Sequence, residues 1–148
     1  MRRIACFWAL FLPLVIACSD FHGSDNGNLD GFWQLTQVDT LSSGRSEDAR
    51  QKMIFWSFQS RLLQMRDLHD MIHAYHTISF RFSREQDSLR LYEPFIDNRE
   101  ISDSIVVNER TLWFYGIYSL DERFKVLQLE ESRMTLQSNR LRMYFRKY

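Results

Sequence analysis

Apolar and polar residues alternate through most of the chain beyond residue 28. In residues 77–83 every second residue is apolar, which places Ile78, Phe80 and Phe82 on one face. Successive side chains of a strand point to opposite faces, so this alternation is typical of a half-buried antiparallel strand. The polar stretch 40–47 is predicted to be a loop. The predicted strands are 31–38, 53–58, 61–66, 77–83, 88–92, 124–129, 133–137 and 140–146.

The first and last strands have well-defined faces. The first is predicted to place Trp33 and Leu35 on one face and Phe32 and Val38 on the other. Tight polar turns separate the last three strands, so they are predicted to form a meander. The apolar face of its final strand consists of Leu141, Met143 and Phe145.

The middle of the chain is less regular. Pro94 breaks the alternating pattern, and residues 111–115 are β-prone up to Gly116. The pattern of two stretches fits two alternative structures each. Residues 68–75 fit a helical turn or a loop, and residues 101–107 fit a short helix or an irregular strand.

The number and spacing of the strands indicate the architecture. Eight or nine short strands follow one another at even spacing, and nearly every connection is short enough for a hairpin. Closing such a sheet on itself removes its exposed edges. The sequence therefore predicts an all-β fold, an up-and-down antiparallel barrel of about eight strands with a short helical or irregular segment.

The N-terminus predicts export and lipid attachment. Two arginines are followed by an apolar run of about 14 residues that ends at Cys18. This length suits a signal peptide and is shorter than the roughly 20 residues of a membrane-spanning helix. We predict a lipoprotein signal peptide over 1–17, a lipidated Cys18 with a flexible polar tether over 18–28, and a barrel domain over 29–148.

Cysteine content and charge exclude several functional classes. The chain has two cysteines, Cys6 in the predicted leader and Cys18 at its end, so the barrel has no thiol for a disulfide or a metal site. The full chain has 19 basic and 19 acidic residues, and removal of Arg2 and Arg3 leaves a charge of about −2. This balance argues against nucleic-acid binding.

Two segments carry a resemblance to a known family. Gly31-Phe32-Trp33 resembles the Gly-x-Trp element that opens lipocalin barrels, and residues 134–148 resemble the closing hairpin of lipocalin-like lipoproteins of the Bacteroides group. The resemblance implies a small lipid-anchored barrel in which Trp33 closes one end. It also implies a place in the cell envelope, on either face of the outer membrane.

The aromatic residues suggest a ligand site inside the barrel. Eight-stranded barrels have an interior wide enough for side chains or for one small ligand. We favour a packed interior, and an apolar ligand is the alternative. The residues predicted to contact such a ligand are Trp33, Phe55, Trp56, Phe80, Phe82 and Trp113.

Three histidines form a weak candidate metal site. On a helix, His69, His73 and His76 would share one face, close to Asp67 and Asp70, and imidazole ligands suit zinc or nickel. The segment is short and weakly helical, so we favour a solvated loop and predict no cofactor.

A basic stripe is predicted on the last strand. Its members are Arg140, Arg142, Arg146 and Lys147. Such a stripe suits lipid head groups, an acidic glycan or a partner protein. We favour the simpler interpretation that it keeps the outer face of the strand soluble.

No arrangement of residues predicts catalysis. The chain lacks Gly-x-Ser-x-Gly, His-Glu-x-x-His and a phosphate-binding glycine loop. We therefore predict a non-catalytic binding module of the cell envelope, for a small apolar ligand or an envelope protein. The alternatives are a structural or accessory subunit of an envelope assembly and an inhibitor of exported hydrolases. A ligand binder should have a cavity, whereas a subunit should expose an apolar patch.

Overall fold

The computed structural model describes residues 25–69, 77–97 and 102–148. Within these ranges the chain forms ten β strands and three short 3₁₀ helices. The strands are β1 Gly31–Thr40, β2 Arg45–Asp48, β3 Ile54–Gln59, β4 Leu62–Asp67, β5 Thr77–Glu85, β6 Ser88–Asp97, β7 Ser104–Ile105, β8 Glu122–Leu129, β9 Arg133–Gln137 and β10 Leu141–Lys147. The 3₁₀ helices are Gly27–Leu29, Arg50–Lys52 and Glu109–Tyr115.

Eight of these strands form a closed antiparallel barrel. Their order is β1-β3-β4-β5-β6-β8-β9-β10, and β10 pairs with β1 to complete the circle. The closing pair runs from Trp33 opposite Lys147 to Thr40 opposite Leu141. The predicted fold class is confirmed. We call the end of the barrel where β1 begins the lower end, and the end where β1 finishes the upper end.

The second edge of β1 is shared by two strands. Residues 31–34 pair with β3, and residues 37–40 pair with β2. The prediction of a loop over 40–47 is therefore wrong for its second half, where Arg45–Asp48 forms β2. All four side chains of β2 are exposed, so it has no apolar alternation, and its backbone pairing to β1 stabilises it instead.

The barrel interior is lined by the predicted apolar rows. Leu35 is buried, as are the rows on β5 and β10 that sequence alternation assigned to the core. The prediction that Val38 lies on the face opposite Trp33 and Leu35 is wrong, because Val38 packs against this core. The register to β10 shifts between Leu35 and Gln37, and the extra residue of this bulge turns Val38 inward.

Pro94 does not end its strand. Arg81 lies opposite Tyr92 and Ser79 opposite Phe95, so β6 has an extra residue in this interval and bulges. Glu93 has a left-handed backbone there, with φ of 51°. Proline lacks an N–H group and is tolerated where the hydrogen-bond ladder is interrupted, so β6 continues to Asp97.

The prediction of β structure for residues 111–115 is also wrong, because these residues belong to the 3₁₀ helix Glu109–Tyr115. The Asn108 side chain accepts a hydrogen bond from the Arg110 backbone N–H, and Gly116 ends the helix with φ of 80°. These caps outweigh the β propensity of the aromatic residues. In the stretch 101–107 the described residues form only the two-residue strand β7, and residue 101 lies outside them.

Trp33 closes the lower end of the barrel, as the resemblance implies. Its side chain is fully buried, and its Nε1 donates a hydrogen bond to the Leu29 carbonyl at 2.8 Å. Lys147 Nζ lies 4.7 Å from the centre of the Trp33 ring system and donates to the Asn28 carbonyl. Two residues of the predicted tether, Asn26 and Asn28, therefore contact the barrel.

We predict that Trp33→Phe destabilises the protein more than Trp56→Phe. Both side chains are fully buried, but Trp56 Nε1 has no hydrogen-bond partner among the described residues. The Trp33 variant leaves the buried Leu29 carbonyl without this donor and loses about 3 kcal/mol of unfolding free energy, and the Trp56 variant loses about 1–2 kcal/mol less. Chemical denaturation of both variants measures the difference, and equal losses would contradict the prediction.

Candidate functional site

The barrel interior holds four of the six predicted ligand-contacting residues. Trp33, Trp56, Phe80 and Phe82 belong to one core cluster and are at most 5% exposed. The centroid of the Trp56 ring lies 4.9 Å from that of Phe145, and Trp56 and Phe124 meet in an edge-to-face arrangement. The aromatic residues thus pack against one another, as expected for an interior filled by its own side chains.

The other two predicted residues lie elsewhere. Phe55 is on the outer face of β3, where it stacks on Phe32 with 4.5 Å between ring centroids. Tyr148 covers the same ring edge-on. Trp113 lies on the 3₁₀ helix Glu109–Tyr115 and is 47% exposed. The structure therefore does not bring Phe55 or Trp113 into the interior.

Residues 104–117, which we call the upper segment, cover the upper end of the barrel. Their inward side chains, Val106, Leu112, Tyr115 and Ile117, belong to the core. Leu112 and Tyr115 share a face because a 3₁₀ helix repeats every three residues. Gly116 has φ of 80°, which favours glycine, and a Cβ there would lie 2.7 Å from the Met143 sulfur and require that side chain to shift.

The outward side of the upper segment exposes four large apolar side chains beside the charged Glu109 and Arg110. Ile105 and Val107 are 80% and 82% exposed, and Trp113 and Phe114 are about half exposed. The sequence prediction included only Trp113 from this group. The alternation of outward Ile105 and Val107 with inward Val106 is a sequence signal for the first two. Three residues are too few to show which face is exposed unless the position of the barrel is known.

A buried carboxyl group lies next to the upper segment. Glu122 is buried at the start of β8, and its Oε2 accepts a hydrogen bond from the Tyr118 backbone N–H at 3.0 Å. Burial raises the pKa of Glu122, and the hydrogen bonds from the Tyr118 and Ser119 backbones oppose this rise only in part.

The predicted basic stripe is divided among three places. Arg140 lies over the Tyr118 ring at the upper end, and Lys147 covers Trp33 at the lower end. Arg142 and Arg146 alone share the outer face of β10. Arg142 Nε donates to Gln137 Oε1, and Arg146 Nη2 donates to Gln34 Oε1.

A depression of about 580 Å³, the outer groove, lies on the outer face between β8, β9, β10 and β1. Its lining includes Arg133, Arg146, Thr135, Tyr144, Gln128 and the Asp48–Arg50 ion pair. Hydrogen bonds from Arg50 lower the pKa of Asp48 to about 2. A second depression of about 360 Å³ lies beside β6 and β7 and is lined by Pro94, Phe95 and Ile105 with flanking charges.

Only one of the three predicted metal-site histidines can be placed. His69 is exposed, and its Nε2 lies 2.6 Å from the Gln51 carbonyl oxygen. His73 and His76 lie outside the described residues. Within those residues no group of three His, Cys, Asp or Glu side chains has the geometry of a metal site.

Comparison with known proteins agrees with this architecture. Eight antiparallel strands around an aromatic core, closed by a tryptophan at one end, define a lipocalin-type barrel. A family model described as a lipocalin-like domain matches residues 12–148, so the chain belongs to this family. No curated protein matches the chain.

Two solved structures share the fold. A lipocalin-like protein from Bacteroides uniformis ATCC 8492 is 23% identical with a TM-score of 0.61, over 82% of this chain and 100% of that one. An uncharacterized protein from Bacteroides eggerthii DSM 20697 is 17% identical with a TM-score of 0.60, over 80% and 98%. In the parts of the chain that the structure describes, no helix is long and apolar enough to cross a membrane.

We predict that Glu122 makes stability fall as pH rises. Its raised pKa means that the folded protein holds the proton more tightly than the unfolded chain, so its stabilising contribution is full below about pH 4.5 and is lost as pH rises through the raised pKa. In Glu122→Gln this loss is absent. The unfolding free energy of the variant, relative to wild type, should therefore rise between pH 4 and pH 7.

Denaturant unfolding at several pH values measures this difference. Glu131→Gln is the control, because Glu131 is exposed in the turn between β8 and β9. A Glu122→Gln curve parallel to that of wild type would contradict the assignment.

Proposed function

We propose that this protein is a non-catalytic binding module, held at the bacterial outer membrane by lipid on Cys18, that binds an envelope protein through its upper segment. The observation that carries this proposal is the group of large apolar side chains that this segment exposes. Four large apolar side chains, those of Ile105, Val107, Trp113 and Phe114, are exposed within ten residues. Exposed apolar groups of this kind mark interaction sites, and aromatic residues are enriched in them.

The filled interior supports an external site. The large aromatic side chains in the core are almost completely buried, and the upper segment adds four of its own side chains to that core. A ligand inside the barrel would have to displace them. Binding on the outer side of the upper segment requires no such rearrangement.

The position of the N-terminus supports the proposed orientation. The described chain begins at Asp25, and the first 3₁₀ helix, Gly27–Leu29, leads into β1 at the lower end. Cys18 and Asp25 are seven positions apart in the sequence, a distance that the chain can span over at most about 25 Å. A lipid on Cys18 would therefore hold the lower end near the membrane and present the upper segment to the surroundings.

A small apolar ligand is the second candidate. The 360 Å³ depression beside β6 and β7 has the size of a small-ligand site, and its lining includes Phe95 and Ile105. The Arg81–Glu93 ion pair at its rim could orient a polar end of such a molecule. Native mass spectrometry of protein extracted from its own membrane would reveal a bound molecule, and Ile105→Ser should abolish its retention.

We expect lipid on Cys18. The mature protein should begin at this residue and carry the mass of its acyl chains, and Cys18→Ala should lose that mass and leave the outer-membrane fraction. Cys6→Ala is the matched control, because Cys6 lies within the predicted leader. Intact-mass analysis and membrane fractionation measure both variants. A Cys18→Ala protein with unchanged mass and location would contradict the proposal.

We expect a partner at the upper segment. A photo-crosslinking residue in place of Trp113, tested in the native bacterium, should give one defined adduct with an envelope protein. The same residue in place of Leu62, an exposed apolar residue at the lower end, is the control. Adding Phe114→Ser should reduce the adduct at position 113 at constant protein level. Equal adducts from both positions, or none, would count against the proposal.

A further inference from the structure

Two arginines face each other across neighbouring strands in the outer groove. Arg133 on β9 and Arg146 on β10 are direct partners in the antiparallel register, and both are exposed on the outer face. Side chains in this relation have Cβ atoms about 4.5–5.5 Å apart, and like charges in such a pair destabilise a sheet. The pair by itself therefore does not stabilise the sheet, and the Arg146 guanidinium also lies 5.8 Å from the centre of the Tyr148 ring.

Neither arginine has a carboxylate partner among the described residues. Arg146 donates to the neutral Gln34 side chain at 3.3 Å, and Arg133 makes no side-chain hydrogen bond within that part of the chain. Elsewhere on the barrel Arg50, Arg81 and Arg90 form ion pairs with acidic side chains. Arg133 and Arg146 form no such ion pair within the described residues.

The rest of the groove suits a polar ligand. Thr135, Gln128 and Tyr144 line it with hydroxyl and amide groups, and its volume of about 580 Å³ lies in the range of small-ligand sites. Asp48 is the one carboxylate among the described lining residues, and Arg50 neutralises it. The net charge of the groove is therefore positive, although the mature chain is predicted to be slightly acidic.

We propose that the outer groove binds a polar molecule through an oxyanion, a phosphate or carboxylate group, which Arg133 and Arg146 contact together. Guanidinium groups bind both kinds of oxyanion with paired, charge-assisted hydrogen bonds. The anion supplies a counter-charge that no carboxylate among the described residues supplies to this pair, and the neutral lining groups contact the remainder of the molecule. This site is separate from the upper segment, so it does not depend on the proposed partner.

The same chemistry has two sources in a cell envelope. One is the phosphate of an anionic lipid head group, and the other is the phosphate or carboxylate of an acidic sugar. Glucose 6-phosphate, glucuronate and neutral glucose are suitable soluble probes. Vesicles of phosphatidylglycerol, compared with vesicles of phosphatidylcholine, test the lipid source.

The first test is a titration of the purified protein with these probes. The NMR signals of the arginine Nε–H groups report binding. The signals of Arg133 and Arg146 should shift with glucose 6-phosphate or glucuronate, or with phosphatidylglycerol vesicles, but not with glucose. Arg133→Gln and Arg146→Gln should each weaken binding about ten-fold. Higher salt should weaken it as well, because exposed charges are screened.

Arg142→Gln is the matched control. Arg142 lies on the same face of β10, carries the same charge and has Gln137 as its own partner, but it does not line the groove. Its substitution should leave binding within about two-fold of wild type, whereas a loss as large as that of Arg133→Gln would overturn the proposal. Failure of every anionic probe to shift the two signals would overturn it too.

A second measurement needs no ligand. If Arg133 and Arg146 repel each other in the free protein, either single glutamine variant should raise the Tm by about 1–3 °C, and Arg142→Gln should not. Saturating anion should raise the Tm of wild type but not that of the two variants. A fall in Tm for both variants would show that the arginines serve the fold, and the proposal would be wrong.

Discussion

Hydrogen bonds between β1 and β10 join residues more than a hundred positions apart and close the sheet into a barrel. The pairing extends from Trp33 opposite Lys147 to Thr40 opposite Leu141, and the last backbone N–H, of Tyr148, donates to the Phe32 carbonyl. Forming such distant contacts has an entropic cost that the buried aromatic core must offset. Removal of this pairing would expose two sheet edges and open the core to water.

The same closure positions side chains at the lower end of the barrel and on its outside. It holds Lys147 over Trp33 and brings Tyr148 to Phe55. It also brings the Tyr144 hydroxyl within 2.9 Å of Asp39 Oδ2. The outer groove lies across this seam, so its lining comes from both ends of the chain and exists only in the closed barrel.

Much of the fold could be predicted from the sequence, because alternation in a strand is a local property. Phe80 and Phe82 needed only their own strand to be assigned to the core. Val38 could not be assigned in this way, because a bulge against β10 shifts its register. Strand β2 was missed for a similar reason, since its polar residues become a strand only when β1 is there to pair with them.

The candidate sites were harder to predict than the fold. Phe55 and Trp56 are adjacent in a strand that is apolar on both faces, so periodicity alone could not decide which one lies inside. The predicted basic stripe on the last strand includes both Arg146 and Lys147, but neighbouring residues of a strand point to opposite faces. The actual neighbour of Arg146 is Arg133, and only the β9–β10 register shows it.

The packing of the interior limits where this barrel can bind a ligand. Large aromatic rings fill the space that an eight-stranded barrel could use for a small ligand, and the upper segment covers the remaining opening. The outer surface then offers two regions of opposite chemistry. The upper segment exposes four large apolar side chains, whereas the outer groove exposes two arginines that have no carboxylate partner among the described residues. One compact ligand cannot satisfy both, so a molecule bound at one region leaves the other free for a second.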